Sequence, residues 1–225
     1  IRKIGFPLTK ELVDREFLIA GGTIMGAEKA MKHGISMNIA GGTHHAFSNK
    51  GEAFCLLNDQ AIAAKYLINK KKINKILIVD LDVHQGNGTA SIFKSNKKVF
   101  TFSMHGEKNF PFKKEKSDLD IELEDNTSDE KYINKLEEAL IQLFKDVNPQ
   151  FVFYLSGVDV LDTDKLGRIS LSLEGCKKRD QIVFSICKNQ NIPIQCSMGG
   201  GYSKDIRTIV NAHSNTFKMA NEIFT

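Results

Sequence analysis

The sequence predicts an α/β protein of three layers, with a mostly parallel central sheet between two layers of helices. Two observations point there. Short runs rich in Ile, Val and Phe alternate with longer amphipathic stretches along the chain. The residues that follow those runs are glycines, histidines and aspartates, at the strand ends where open parallel sheets bind ligands. The 225 residues suffice for one core, and a single domain over 1–225 is expected.

Taken in order, a helical pattern runs up to about His33, and Ile35 to Ala40 reads as the first strand. Asn58 to Asn69 has the helical period, Ile76 to Leu81 is a second strand, and Asn87 to Lys94 is helical again. Val99 to Met104 is the third strand. Asp129 to Val147 is a helix whose start carries Thr127 and Glu130 at the spacing of a capping box. Phe151 to Leu155 and Ile192 to Met198 are strands around the helix Leu173 to Asn189, and a last helix follows Tyr202.

Composition excludes several classes. Hydrophobic residues at 41% and charged residues at 26% are those of an ordinary soluble protein. No apolar run approaches a membrane span and no signal-peptide pattern is visible, so a cytoplasmic protein without membrane contact is expected. The net charge is +4, but the lysines sit among asparagines and acids, as in Asn69-Lys70-Lys71-Lys72. This is a solvated surface, and no direct nucleic-acid contact is expected. Cys55, Cys176, Cys187 and Cys196 form no CxxC pair and read as free thiols in a reducing compartment.

The strand ends carry the chemistry. The first runs into Gly41-Gly42-Thr43-His44-His45, the second ends in Asp80-Leu81-Asp82-Val83-His84, and the third in Ser103-Met104-His105. The fourth ends in Gly157-Val158-Asp159 and the fifth in Gly199-Gly200-Gly201-Tyr202. Side chains two apart on a strand share a face, so Asp80, Asp82 and His84 point one way and Leu81 and Val83 into an apolar layer. Burying neighbouring carboxylates is costly without a cation. No arginine lies near in sequence, and a metal is the economical answer. Asp159, from another strand end, supplies a further oxygen ligand and leaves a coordination position open.

His44 and His45 enter the same rim. An imidazole facing an activated water is a suitable base, because it titrates near working pH. Asp80 can orient one ring and Asn87 the other, and an Asn partner does not favour the imidazolium as a carboxylate does. Tyr202 either packs as an aromatic cap on the next helix or polarises a substrate carbonyl.

Together these segments resemble the histone deacetylase superfamily, within the arginase-like α/β fold. The resemblance extends from about Ile4 to beyond Tyr202. It rests on Gly-Gly-Thr-His-His, Phe-Cys-Leu-Leu-Asn-Asp, Asp-Leu-Asp-Val-His-Gln-Gly-Asn-Gly, Gly-Val-Asp and Gly-Gly-Gly-Tyr, in the family's order. Asn87 and Asp164-Lys165-Leu166-Gly167-Arg168 look most like the class IV and related bacterial branch; acetoin utilization protein and acetylpolyamine amidohydrolase are further relatives. The resemblance implies zinc, or ferrous iron in the cell, on Asp82, His84 and Asp159. It implies catalytic roles for His44, His45 and Tyr202, with Asp80 and Asn87 as the histidine partners. It further implies structural potassium held by Asp80, Asp82, His84, Ser103 and Met104. Phe54, Phe110 and Gly200 are implied in substrate binding, the two aromatics as walls of an acyl-lysine tunnel. Cys55 falls near the tunnel as a structural residue.

The chain departs from the pattern in two places. Ala53 stands where the family commonly has Gly. The family's N-terminal segment, which supplies an edge strand, helices and a rim loop, is lacking, and the sequence opens on Ile1 rather than Met. A form truncated at its N-terminus is therefore expected. The reaction implied is hydrolysis of an N-acyl amine, most simply an acetyl-lysine peptide or a small acetylated amine. Acetylpolyamine or long-chain acyl-lysine hydrolysis is the near alternative, and a non-catalytic acyl-lysine binder a more distant one. An arginase-type two-metal hydrolase fits worse, because the tandem histidine and Gly-Gly-Gly-Tyr have no part in it.

Overall fold

The computed structural model describes residues 3–225. Six strands form one sheet: β1 (Ile35–Asn38), β2 (Ile76–Asp80), β3 (Val99–Gly106), β4 (Leu119–Leu123), β5 (Phe151–Gly157) and β6 (Ile194–Gly199). Their order is β1-β6-β5-β2-β3-β4, and every neighbouring pair is parallel. The helices are α1 (Lys10–His33), α2 (Asp59–Lys70), α3 (Asn87–Phe93), α4 (Asp129–Val147), α5 (Leu173–Asn189) and α6 (Ile206–Phe224). No helix among the described residues is long and apolar enough to cross a membrane.

The centre of the sheet explains the continuous apolar runs. β2 lies between β3 and β5, and all five of its residues are buried. A strand covered on both faces has no reason to alternate with polar residues. Leu77 and Val79 join the layer of α4, α5 and α6, with Tyr132, Phe184 and Met219. Ile76 and Ile78 join the opposite layer, where Ala27 and Ala30 of α1 meet Ala61, Ala63 and Ala64 of α2. Leu81 and Val83 continue into the first layer, as the alternation predicts.

The expected elements are present with small shifts and one addition. The first strand stops at Asn38 rather than Ala40, and the third continues through His105 to Gly106. β4 is an additional strand: Leu119-Asp120-Ile121-Glu122-Leu123 alternates with period two, the mark of a half-buried edge strand. The capping box does not form. Ser128 is the N-cap of α4, while the Thr127 hydroxyl donates to the Glu124 carbonyl at 2.7 Å and closes a turn before the helix. The four cysteines are free and buried.

Arg179 of α5 is fully buried. Its guanidinium donates to Asp180 at 2.9 and 2.8 Å, and its remaining nitrogen to the carbonyls of Gly157 and of Leu81. Asp180 also accepts from the Tyr154 hydroxyl at 2.5 Å and the Thr216 hydroxyl at 2.6 Å. An arginine absent from the neighbouring sequence is thus supplied by a helix, but its charge is met by Asp180 rather than by the strand-end carboxylates. It ties together the ends of β2 and β5, just ahead of Asp82 and Asp159. Removing one partner of a buried ion pair costs about 3–5 kcal/mol. Asp180→Asn should therefore lower the unfolding free energy by about that amount in urea denaturation. A loss below about 1 kcal/mol would contradict the structural role assigned to the pair.

Candidate active site

A cleft of about 690 Å³ opens beyond the carboxyl ends of β1, β2, β5 and β6. Its floor holds Asp82 and His84 from the segment after β2, and Asp159 from the segment after β5. His84 Nδ1 lies 3.0 Å from Asp82 Oδ1 and 3.1 Å from Asp159 Oδ2. One donor atom from each of the three residues falls within 4.8 Å of the others. Both carboxylates are buried, and their ion-pair partners among the described residues are histidines.

Backbone fixes these side chains. Asp82 Oδ1 accepts the His84 amide at 2.8 Å, and Asp159 Oδ1 accepts the Val83 amide at 3.0 Å. The walls are glycine because nothing larger fits. A Cβ at Gly157 would lie 2.5 Å from Asp82 Oδ2, and one at Gly200 2.3 Å from the Asp159 carboxylate carbon. Two buried oxygen donors and one partly buried imidazole, converging, fit a divalent cation of the zinc or ferrous type.

The groups titrate as a cluster. Burial opposes charge on His84, but its hydrogen bonds to Asp159 and Asp82 prevail and push it up to about 10. Burial and the Asp82 charge push Asp159 up to about 6. Asp82 moves down despite burial, under the influence of His44 and His84.

The tandem histidines stand against this floor with ring centroids 4.1 Å apart. Asp59 positions their loop by accepting the Thr43 amide at 3.0 Å, and Asn58 donates to the His44 and Ala46 carbonyls. This accounts for Asn-Asp at the end of the Phe-Cys motif. Gly41 and Gly42 have φ of +93° and +72°, and a Cβ at either would strike Asp59 or the Met198 carbonyl.

The two rings differ in their partners. His44 Nδ1 meets Asp80 Oδ2 at 2.6 Å; burial disfavours its charge, yet the Asp80 carboxylate lifts it to about 9. His45 Nδ1 meets Asn87 Oδ1 at 2.7 Å. Asn87 gives its amide protons to Glu52 at 3.2 Å, so its oxygen faces the ring and His45 carries its proton on Nδ1. Burial and the neighbouring His44 hold His45 well below the usual histidine range. Its Nε2 is then a free lone pair.

Tyr202 lines the same cleft and is 37% exposed. Its amide donates to Asp164 Oδ2 at 2.6 Å, and Asp164 Oδ1 accepts from Leu166 and Gly167. The Asp164–Arg168 stretch therefore anchors the tyrosine. Burial, then the Asp82 and Asp159 charges, push its hydroxyl upward, so it stays a proton donor. Phe54 lies 6.4 Å from Tyr202 between ring centroids, and Phe110 stands edge-on to His45 at 5.0 Å. Ala53 and Phe54 hold positive φ, +42° and +65°, so alanine occupies a conformation glycine adopts more easily. Cys55 is buried and its thiol is pushed up, which leaves it unreactive.

Ser103 pairs in register with Asp80 across β2 and β3, and Met104 follows it, buried. Asp80 Oδ1 accepts the Asp82 amide at 3.2 Å, and Ser103 Oγ contacts His105 Nδ1 at 2.9 Å. The residues of the expected potassium site thus share one corner of the sheet. Sequence reading missed Arg179, whose approach depends on helix packing, and Phe6, which stacks on Phe54 at 5.7 Å.

The Histone deacetylase domain profile matches residues 3–217. An uncharacterized protein of Picosynechococcus is 44% identical over 99% of this chain and 74% of its own length. Histone deacetylase 2 of Arabidopsis thaliana is 31% identical over 93% of this chain and 53% of its own length. The crystal structure of an HDAC homolog from Aquifex aeolicus superimposes with a TM-score of 0.80 at 26% identity. That match covers 92% of this chain and 58% of the Aquifex chain. An HDAC homolog complexed with SAHA also gives 0.80, at 27% identity, over 96% of this chain and 59% of the other. The chain thus spans little more than half the length of three of these four. The sheet order, the cleft at its carboxyl edge and these matches agree, and the chain belongs to the histone deacetylase family.

Proposed function

We propose that this chain hydrolyses N-acyl amines, acyl-lysine most simply, using one divalent metal held by Asp82, His84 and Asp159. The observation that carries the reading is geometric: beside that converging triad His44 is backed by the Asp80 carboxylate at 2.6 Å and His45 by the Asn87 amide at 2.7 Å. When bound, the metal supplies Lewis-acid polarisation of the acyl oxygen and acidifies a water.

The remaining chemistry belongs to the chain. His45 Nε2 takes a proton from the attacking water as the water oxygen bonds to the acyl carbon. The Tyr202 hydroxyl donates to the acyl oxygen as it becomes anionic. His44, held cationic by Asp80, adds positive charge close to the developing oxyanion. His45 then returns its proton to the amine nitrogen as the carbon–nitrogen bond breaks, leaving a carboxylic acid and a free amine. Phe54 and Phe110 offer apolar walls for the acyl-lysine stem, and Gly200 lies where a substrate passes the metal ligands. Zinc is the simplest occupant, with ferrous iron compatible with the same donors. Potassium at Asp80, Asp82, His84, Ser103 and Met104 belongs to the same proposal, supported by the register of β2 with β3. Peptide substrates are the first choice, and a small acetylated amine the second.

Tyr202→Phe and His45→Ala should each lower kcat/KM on an acetyl-lysine peptide by about 100-fold or more while metal content stays at wild-type level. A rate within about threefold of wild type in either variant would refute that residue's role.

Metal binding should depend on pH in a definite direction. His84 titrates near 10 in the absence of metal, so at neutral pH a cation must displace its proton. Calorimetric affinity for Zn2+ should rise from pH 6 to pH 8, with net proton release seen as a dependence on buffer ionisation enthalpy. In the metal-free chain His84 contributes the opposite trend. Its folded pKa lies above the unfolded value, so its stabilisation is complete below about 6.5 and is lost as pH rises through about 10. Affinity that is flat from pH 6 to pH 8 would contradict displacement of a His84 proton by the metal.

A further inference from the structure

We propose that Lys114 is a positioning residue that fixes one wall of the acyl tunnel and so sets which acyl chains the cleft accepts; this rests on the acyl-amide reading above. Lys114 is half-buried, unlike its exposed neighbour Lys113. Its ammonium donates to three backbone carbonyls: Glu107 at 3.0 Å, Asn109 at 2.6 Å and Pro111 at 2.8 Å. An ammonium has three protons, and here each meets an oxygen of the same loop.

Two of those carbonyls flank Phe110. The Phe110 carbonyl itself accepts the Gln85 amide at 3.3 Å, and Gln85 follows the metal ligand His84. Three successive carbonyls, from 109 to 111, are therefore held at once. Gln85 also exchanges hydrogen bonds with the Glu115 backbone, at 2.8 and 2.9 Å, just past the lysine. Asn109 reaches across the mouth to the Leu166 carbonyl at 2.7 Å. The Phe110 ring, fixed by this scaffold, stands against His45.

The arrangement is specific to lysine. A compact ammonium satisfies three oxygens that converge on one point, whereas the planar fork of arginine directs its protons outward in one plane. An uncharged side chain leaves all three carbonyls without their donor. The loop then loses its centre, and Phe110 loses its fixed distance from His45.

The test uses the metal-loaded chain and its Lys114→Met, Lys114→Arg and Lys113→Met variants. Steady-state kinetics are measured on one peptide bearing acetyl-, butyryl- or octanoyl-lysine, with metal content and hydrogen exchange over residues 106–117. We expect Lys114→Met to raise KM about tenfold, the factor one charge-assisted hydrogen bond supplies, with kcat changed less than about threefold. The wild-type ratio of rates on short and long chains should flatten, metal content should hold, and exchange in the loop should quicken. Lys114→Arg should recover less than half of the change, and Lys113→Met should match wild type. An unchanged KM with an unchanged chain-length ratio overturns the proposal, as does full rescue by arginine. If Lys114→Met does not fold, Lys114→Arg alone decides, because wild-type KM and chain-length ratio in that variant overturn the lysine-specific hub. Should wild type cleave none of these amides, the acyl-amide reading fails separately. Loop exchange then judges the hub, and wild-type protection in Lys114→Met overturns it.

Discussion

Two carboxylates, Asp82 and Asp159, are buried around one imidazole at the edge of a parallel sheet, and much of the local structure follows from holding them there. Like charges in a low-dielectric site repel strongly, so the chain must fix their positions from behind and provide positive charge in front. Backbone amides of Val83 and His84 supply part of the fixing. Glycines at 157 and 200 leave the space, since any side chain there would overlap the carboxylates. The Arg179–Asp180 pair braces the two strand ends from the opposite layer, through the carbonyls of Leu81 and Gly157. Its own charge is balanced locally, so it stiffens the floor without competing for the ligands.

The same economy governs the histidines. They are adjacent in sequence and nearly equal in burial, and what separates them is one atom type in each partner. A carboxylate behind His44 favours its charged form, while an amide behind His45 supplies only a hydrogen-bond acceptor. Two copies of one residue are thereby given opposite electrostatic surroundings. Glu52 contributes indirectly by turning the Asn87 amide, which fixes the proton on His45 Nδ1.

The mouth of the cleft is built from less regular backbone than its floor. Phe54 sits at positive φ next to Ala53, Phe110 belongs to a loop centred on Lys114, and Tyr202 is anchored by Asp164. Loops vary more readily than strand ends, because fewer buried contacts depend on them. The floor of the cleft is thus built by the sheet and its walls by loops.

The layers, five of the six strands and the residues at their ends are legible in the sequence, because buried parallel strands and amphipathic helices leave distinct periods. The grouping of Asp82 with His84 is legible too, since a strand end places alternate side chains on one face even where regular pairing stops at Asp80. β4 is marked only by its short alternation, without the apolar run of the other strands. Packing between distant segments sets which ring each histidine partner serves, makes Thr127 close a turn instead of capping α4, and brings Arg179 behind Asp82 and Asp159. Lys114 is the clearest case: among surface lysines its pattern is ordinary, and its three carbonyl partners come together only when the loop is folded. Periodicity records which face a residue takes, but the convergence of groups distant along the chain depends on how elements pack, and no local pattern encodes that distance.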